Sequence, residues 1–273
     1  MNASARVLQA TDLAVGFGDV PVLEGVNFGL EPQKLIAVVG ASGAGKSTLL
    51  RGLSGLLPPL AGSVALAPQT DPGTRAWSMV FQAPRLLPWR RVRANVELGL
   101  EGLGLSATER RLRAERYLQQ VELLEYADRW PHMLSGGQQQ RIGLARALAV
   151  EPRVLFMDEP FSALDAITRR RLQQGLVQLR QRTPAAIVFV THDIEEAVLL
   201  SDRVLVLGKE RAGPATVQAD LPVDLPLDDR RNAPGFRSMI QDVESMIRTT
   251  PHPADTAATE SQVIEGDPPR SHG

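Results

Sequence analysis

A glycine-rich segment that begins at residue 40 has the composition of a phosphate-binding loop. It matches the pattern G-x-x-x-x-G-K-[ST], in which glycines let successive backbone N–H groups face phosphates. The pattern predicts that Lys46 contacts the β- and γ-phosphates of a nucleoside triphosphate and that Ser47 gives its hydroxyl to Mg²⁺. Kinases, GTPases and many ATPases share this loop, so it predicts the ligand class only. The predicted loop consists of Gly40, Ala41, Ser42, Gly43, Ala44, Gly45, Lys46, Ser47 and Thr48.

Two acidic residues follow an apolar run further along the chain. The run 154–157 has no polar alternation, which is typical of a strand buried on both faces, and it ends in Asp158 and Glu159. Open α/β sheets bind ligands at the carboxyl ends of such strands. There Asp158 would hold Mg²⁺ and Glu159 would polarise the attacking water as a general base. A strand that ends in solvated acids is the alternative, and the phosphate loop upstream makes it the weaker one.

The elements that position these residues follow from the apolar pattern. Short apolar stretches between about residues 6 and 39 predict antiparallel strands that lead into a buried strand at 35–39. Strand and helix then alternate, which predicts an α/β fold with a mostly parallel core sheet, an N-terminal antiparallel β subdomain and an inserted helical subdomain at 83–149. The further predicted elements are helices at 46–54, within 92–149 and near 166–181, and strands at 76–81, 154–157, 186–190 and 204–207.

Composition limits the function classes. The 273 residues carry a net charge of -1, which argues against a general nucleic-acid binder, and the chain has no cysteine and therefore no disulfide framework. The apolar runs are too short to span a bilayer, and the N-terminus lacks a signal-peptide core, which predicts a cytoplasmic location. We predict an ATPase domain at 1–215, a C-terminal extension at 216–248 with one amphipathic helix, and a disordered acidic tail at 249–273.

A pentapeptide, Leu134-Ser135-Gly136-Gly137-Gln138, precedes a helical run that is rich in Arg and Ala. Here the chain resembles the ABC transporter ATPases, whose signature sequence is this pentapeptide. The resemblance implies a P-loop NTPase (ABC ATPase) fold and the hydrolysis of ATP. The other family motifs follow in the family's order over roughly residues 6–210. They are the adenine-stacking aromatic at Phe17, the Q-loop at Gln82, the D-loop at Ser162-Ala163-Leu164-Asp165 and the switch histidine at His192.

The resemblance also implies roles for these residues. His192 would contact the γ-phosphate and orient water together with Glu159, while Gln82 would approach the metal and link the site to the helical subdomain. The signature residues Ser135–Gln138 would face the ATP that a second subunit holds, and Asp165 is placed with the nucleotide contacts. One cassette is visible in the sequence, so a partner cassette, identical or related, must come from another chain.

The run after Gln82 narrows the resemblance to one importer group. Residues 83–92 read APRLLPWRRV, which is similar to the ATPases of nitrate, sulfonate, taurine and bicarbonate importers. In that group the run receives the membrane subunit, so an exposed Trp89 would anchor the docking, unless Trp89 fills the subdomain core instead. The implied partners are permease subunits and, through them, a solute-binding protein, with the chain at the cytoplasmic face of the inner membrane and no nucleic acid.

One departure from the family and three other functions bear on this interpretation. The family often has a glycine in the turn before the phosphate-loop strand, and residues 31–34 read EPQK here. The runner-up function is a soluble ABC ATPase outside transport, which usually carries a coiled-coil insertion or two cassettes. A small-molecule kinase or GTPase is disfavoured by the signature, Gln82 and His192. A non-hydrolytic binding module is disfavoured by Glu159.

Overall fold

The computed structural model describes residues 6–68, 71–162, 164–209 and 213–248, which form nine strands and seven α-helices within those ranges. In chain order they are β1 (Leu8–Phe17), β2 (Val20–Leu30), β3 (Leu35–Gly40), α1 (Lys46–Leu53), β4 (Ala61–Leu66), β5 (Trp77–Val80), α2 (Val92–Leu100), α3 (Ala107–Gln120), α4 (Gly136–Ala149), β6 (Val154–Asp158), α5 (Ala166–Arg182), β7 (Ala186–Val190), α6 (Ile194–Leu200), β8 (Arg203–Gly208), β9 (Thr216–Pro222) and α7 (Phe236–Arg248).

The central sheet has the strand order β5-β6-β7-β3-β8-β9, and its first five strands are parallel. Side chains of β3 alternate between two cores: Ile36 and Val38 pack with α1, whereas Leu35, Ala37 and Val39 pack with α5, α6 and α7. Because both faces are covered, the non-alternating apolar strands of the sequence are buried throughout. The predicted mostly parallel core sheet is confirmed.

The order of the strands brings the ends of β3, β6 and β7 together. Val38 of β3 and Asp158 of β6 both pair with Val190 of β7, so these three residues lie in one row across the sheet. Since the strands are parallel, the loops that follow them leave from the same edge. The sheet therefore places three segments side by side that are far apart in the sequence. They are the phosphate loop, the acidic pair and the segment that carries His192.

The antiparallel β subdomain is also confirmed, in the order β2-β1-β4. Its third strand, β4, was not predicted, because its sequence is short and rich in small residues. The turn that leads into β3 shows how the chain replaces the expected glycine: the Lys34 N–H donates to the Glu31 carbonyl at 3.3 Å, and Gln33 adopts a positive φ of 62°. Pro32 followed by a positive φ fits a type II turn.

The helices α2, α3 and α4 form the inserted subdomain around a separate apolar core. Leu118 and Val121 lie in that core, whereas Leu112 is 61% exposed. The sequence places Leu112 six positions before Leu118, which is about 240° around a helix, so the two side chains lie on different sides. Asn95 is fully buried at the start of α2, and its amide exchanges hydrogen bonds with the backbone of Leu87.

The C-terminal segment returns to the central sheet. Strand β9 pairs antiparallel with β8 at the edge of the sheet, and the helix α7 follows, which buries Phe236 and Val243. The extension predicted for 216–248 therefore contributes a strand to the central sheet, which the sequence analysis missed. The tail predicted at 249–273 lies outside the described residues. Among the described residues, no helix combines the length and apolarity that a bilayer span requires.

Candidate active site

The phosphate loop connects β3 directly to α1, as the motif predicts. Gly43 and Gly45 adopt positive φ values of 78° and 86°, and a Cβ on Gly45 would lie 2.8 Å from Val22 Cγ1. Glycine at position 45 is therefore required by both backbone conformation and space. The helix α1 begins at Lys46, so its first N–H groups, which have no partner within the helix, lie at the loop. This is the arrangement that binds phosphate at a helix N-terminus.

Lys46 is held within the loop. Its ammonium donates to the carbonyl oxygens of Gly40 at 3.0 Å and Ala41 at 3.1 Å, and the residue is 8% exposed. Burial lowers the pKa of Lys46 from its ordinary value, while the nearby carboxylates of Glu159 and Asp158 oppose that shift. The ammonium is thus oriented by neutral acceptors and lies within the field of two acids, where phosphate oxygens can replace the carbonyl contacts.

Ser47 and Asp158 meet at the end of β6, 111 positions apart in the sequence. The Ser47 hydroxyl donates to Asp158 Oδ1 at 2.8 Å. A hydroxyl and a carboxylate oxygen are hard ligands of the kind that Mg²⁺ prefers. Among the described residues no group of three His, Cys, Asp or Glu side chains is placed to hold a metal ion by itself. Magnesium commonly binds through one or two protein groups plus substrate phosphates and water.

Glu159 faces His192 across the ends of β6 and β7. His192 Nδ1 lies 3.4 Å from Glu159 Oε2, and the side chains are 62% and 23% exposed, respectively. Glu159 has a φ of 45°, which is unusual for a residue with a side chain, and its N–H donates to the Val190 carbonyl at 3.0 Å. This backbone conformation is fixed by β7, so the carboxylate is aimed by the sheet.

Gln82 and Phe17 lie at the periphery of this group. Gln82 is exposed two residues after the end of β5, and the preceding Phe81 accepts a hydrogen bond from buried Gln140 of α4 at 3.1 Å. The segment around Gln82 is therefore tied to the helical subdomain. Phe17 is 56% exposed at the end of β1. Both side chains are exposed, and their predicted roles stay predictions.

The signature residues lie elsewhere, at the N-terminus of α4. Ser135 is the N-cap: its hydroxyl accepts from the Gln138 N–H at 3.3 Å, and the Gln138 side chain accepts from the Ser135 N–H at 2.9 Å. Gly136 has open space around it, whereas a Cβ on Gly137 would lie 2.2 Å from Thr168 Cγ2 of α5. Glycine therefore serves different purposes at the two positions. Gly136 leaves the N-terminus of α4 free of a side chain, whereas Gly137 lets α4 and α5 pack closely.

Asp165 begins α5 in the same way. Its Oδ1 accepts from the backbone N–H groups of Ile167 at 3.1 Å and Thr168 at 3.0 Å, and the hydrogen bonds to Thr168 lower the pKa of Asp165. The D-loop aspartate is thus a helix cap in this structure, and Ala163 of the same motif lies outside the described residues. The structure brings together Lys46, Ser47, Asp158, Glu159 and His192, and it does not bring Ser135–Gln138 or Asp165 into contact with them.

Sequence reasoning missed two side chains that flank His192. Thr191 precedes it, and Glu196 follows in the first turn of α6, where the spacing of Asp193 and Glu196 matches a capping box. That spacing was available as a signal. However, only the Asp193 half of the capping box forms, because the Glu196 carboxylate turns to the Thr191 hydroxyl instead.

The chain is similar to proteins of one known family. The family model described as ABC transporter matches residues 23–162. Similar relatives include the nitrate import ATP-binding protein of Synechocystis sp. (41% identity, 88% of this chain and 95% of the relative), an aliphatic sulfonates import ATP-binding protein of Rhodopseudomonas palustris (45%, 84% and 79%) and a taurine import ATP-binding protein of Pseudomonas syringae pv. tomato (45%, 75% and 77%).

Solved structures agree on the fold. One similar structure is cbiO1 from Clostridium perfringens, part of an ABC transporter complex, with a TM-score of 0.69, 26% identity and coverage of 81% of this chain and 90% of that chain. Another is a dimeric ATP-binding cassette bound to ADP and phosphate, with a TM-score of 0.65, 29% identity and coverage of 79% and 98%. The match is to a nucleotide-binding cassette over most of this chain.

Proposed function

This chain belongs to the ABC transporter family of ATP-binding proteins, and from that premise we propose that it hydrolyses ATP to drive solute import through permease subunits. The observation that carries the proposal is the meeting of a phosphate loop, an Asp158–Ser47 pair and a Glu159–His192 pair at one edge of the sheet. A phosphate cradle alone would bind a nucleotide. The additional carboxylate and imidazole are the groups that hydrolysis requires.

The proposed roles follow the positions of these groups. Lys46 binds the β- and γ-phosphates, Glu159 accepts a proton from the attacking water, and His192 contacts the γ-phosphate while it orients Glu159. The bound Mg²⁺ would be held by Ser47 and Asp158, with Gln82 approaching it, and it would neutralise charge on the phosphates. Phe17 would stack on adenine. Fixed charges of this kind are the main contribution of a protein to phosphoryl transfer.

A second cassette completes the site in this proposal. The N-terminus of α4 offers backbone N–H groups and the Ser135 hydroxyl to an anion, but it does not contact the phosphate loop of its own chain. We therefore assign Ser135–Gln138 to the ATP held by a partner cassette, and Asp165 remains a proposed nucleotide contact. The dimeric cassette structure found among the similar proteins supports this assignment. Closure of two such cassettes around ATP would favour the ATP-bound dimer.

The helical subdomain is the proposed contact with the permease. Trp89 is 70% exposed, so it does not fill the subdomain core. The exposed Arg85 guanidinium lies 4.2 Å from the centre of the Phe81 ring, next to Gln82. The segment from Gln82 to Trp89 thus joins the catalytic edge to an exposed aromatic, which is the kind of side chain that anchors protein interfaces.

The proposed solutes are nitrate, aliphatic sulfonates or taurine, since the similar proteins are named as importers of these molecules. All three solutes are small and carry an oxyanion group. The chain would act at the cytoplasmic face of the inner membrane, and a solute-binding protein would deliver the solute to the permease. A complex reconstituted with its permease should show ATP hydrolysis that one of these solutes stimulates when its binding protein is present. Equal rates with every solute would contradict the assignment.

The test of the catalytic proposal uses Glu159→Gln, which keeps size and removes the base. We expect hydrolysis to fall by at least about 100-fold while ATP binding is retained. The same variant should elute as a larger species in size-exclusion chromatography with ATP than without it. Glu101→Gln, an exchange at an exposed ion pair with Arg90, is the matched control. Near wild-type hydrolysis by Glu159→Gln would remove the base assignment.

A further inference from the structure

A buried carboxylate lies behind the segment that carries His192. Glu196 is 5% exposed in the first turn of α6, and its two oxygens have different partners. Oε2 accepts from the Thr191 hydroxyl at 2.8 Å, and Oε1 accepts from the Gln173 side-chain amide of α5 at 3.1 Å. A buried carboxylate is costly unless such partners are present. The contacts therefore specify where this side chain lies.

The Thr191 hydroxyl joins the two sides of His192. It donates to Glu196 and accepts from the Asp193 backbone N–H at 3.0 Å, so one oxygen atom fixes the residues before and after the histidine. The Thr191 N–H also donates to the carbonyl of Val38 in β3 at 3.2 Å. The backbone next to His192 is thus fixed by hydrogen bonds of Thr191, although the His192 side chain itself is 62% exposed.

The network continues into the C-terminal segment. Gln173 is 3% exposed, and while its amide nitrogen donates to Glu196, its oxygen accepts from Arg231 at 3.0 Å. Arg231 also forms an ion pair with Glu195 of α6, in which Nε lies 3.1 Å from Oε1. Each group of Gln173 therefore has one defined partner, which fixes the direction of its amide and, through it, the position of the Glu196 carboxylate.

Two charged groups act on the Glu196 carboxylate. Arg169 Nε of α5 lies 3.7 Å from Oε1, and the carboxylate of Asp193, the N-cap of α6, repels the negative charge of Glu196. Burial raises the pKa of Glu196, whereas the hydrogen bonds from Thr191 and Gln173 and the charge of Arg169 lower it. Hydrogen bonds and one nearby cation thus offset part of the cost of burial.

We infer that Glu196 is a positioning residue for ATP hydrolysis. It acts through the Thr191 hydroxyl to hold His192 opposite Glu159. The inference rests on the proposed role of His192 and adds Glu196 and Thr191, which are both buried. If Glu196 only stabilised α6, its substitution would lower the free energy of unfolding, and the size of its effect would be the same with or without the His192 side chain. The two readings differ in how the Glu196 and His192 substitutions combine.

The experiment measures ATP hydrolysis for Glu196→Gln, Thr191→Val and Thr191→Ser in the full chain. Thr191→Val keeps the shape and loses the hydroxyl, whereas Thr191→Ser keeps the hydroxyl. We expect kcat to fall by about tenfold in Glu196→Gln and Thr191→Val, with the KM for ATP unchanged and with Thr191→Ser close to wild type. Glu244→Gln, the same exchange at a partly exposed position of α7, is the control that should retain full activity.

A double-mutant cycle with His192→Ala gives the decisive readout. If Glu196 acts through His192, adding Glu196→Gln to His192→Ala should lower the residual rate by less than about twofold. An undiminished tenfold loss in the His192→Ala background would overturn the inference, as would equal activity of Thr191→Val and Thr191→Ser. Near wild-type hydrolysis by His192→Ala alone would instead overturn the proposed role of His192, and the inference with it.

Discussion

The edge of the central sheet and the N-terminus of α4 are both proposed phosphate sites, but only at the first do charged side chains from several loops meet. At the sheet edge, side chains from three loops already contact one another, as the Ser47–Asp158 and Glu159–His192 pairs show. At α4, Ser135 and Gln138 contact each other in a capping box, and Gly136 has open space around it. This difference is expected if α4 supplies half of a site that a second cassette completes, as we propose.

The two regions also differ in what holds them. The groups at the sheet edge are fixed by parallel strands, whose register places Asp158 beside Val190. The N-terminus of α4 is fixed by helix packing, in which Gly137 lies against Thr168 of α5. Substitutions at the sheet edge should therefore weaken nucleotide binding by the single chain. Substitutions at the N-terminus of α4 should affect only the steps that need a second cassette.

The largest effect is expected at the sheet edge. Lys46→Ala removes the ammonium that the Gly40 and Ala41 carbonyls now orient, and we expect ATP binding to weaken by more than about 100-fold, since charge-assisted contacts to phosphate are strong. Calorimetric titration with ATP measures the loss. Lys34→Ala, at an exposed lysine 3.8 Å from Asp202, should bind ATP normally. Retained ATP affinity in Lys46→Ala would remove the sheet edge as the phosphate site.

At α4 the same titration should give the opposite result. Ser135→Ala should leave ATP binding to the single chain unchanged and lower hydrolysis by about 30-fold, because a donor to the partner's phosphate is lost. The substitution also removes an N-cap, worth about 1 kcal/mol. Ser106→Ala removes the equivalent capping box of α3 and is the matched control. If both serine variants lose the same activity, Ser135 has only a capping role.

A substitution at Trp89 should affect assembly with the permease but neither of the two proposed nucleotide sites. Because its side chain is 70% exposed, Trp89→Ala should leave the melting temperature and ATP hydrolysis by the isolated chain unchanged. We expect about tenfold weaker assembly with the permease, measured by co-purification at graded concentrations. Leu112→Ala removes another exposed apolar side chain of the helical subdomain and serves as the control. Unchanged assembly would exclude Trp89 as the anchor.

The smallest effect separates the two signature glycines. A Cβ at position 137 meets Thr168 Cγ2 at 2.2 Å, so Gly137→Ala should lower the free energy of unfolding by about 1 kcal/mol, and Thr168→Ser should restore part of the loss. Gly136→Ala meets no atom within 4 Å and should be neutral or stabilising in a helix. Urea unfolding measures all three variants. Equal destabilisation by the two alanines would contradict the packing role of Gly137.

The chemistry of the sheet edge was accessible from the sequence because each motif stands at the end of a non-alternating apolar run. Strands such as β3 and β7 are buried on both faces, so their composition alone identifies them. Edge strands carry a weaker signal, and β9, which pairs on one side only and is half exposed, was missed. Its alternating residues are equally compatible with a loop.

Other features depend on long-range contacts and could not be read from spacing. The hydrogen bond between Gln173 and Glu196 joins two helices, and the approach of Gly137 to Thr168 joins two subdomains. The exposed state of Trp89 is a similar case, since the sequence is compatible with either a core or a surface position. These contacts are set by how the helices pack, which local propensity does not determine.

The most direct test of the half-site uses the absence of cysteine from the chain. Ser42→Cys and Gly136→Cys are made in separate Glu159→Gln chains, at exposed positions of the phosphate loop and of the α4 N-terminus. Mild oxidation of the mixture with ATP should join the two chains by a disulfide, and neither variant alone should form that species. A cross-link that forms equally without ATP, or no cross-link in the mixture while ATP is bound, would contradict the account.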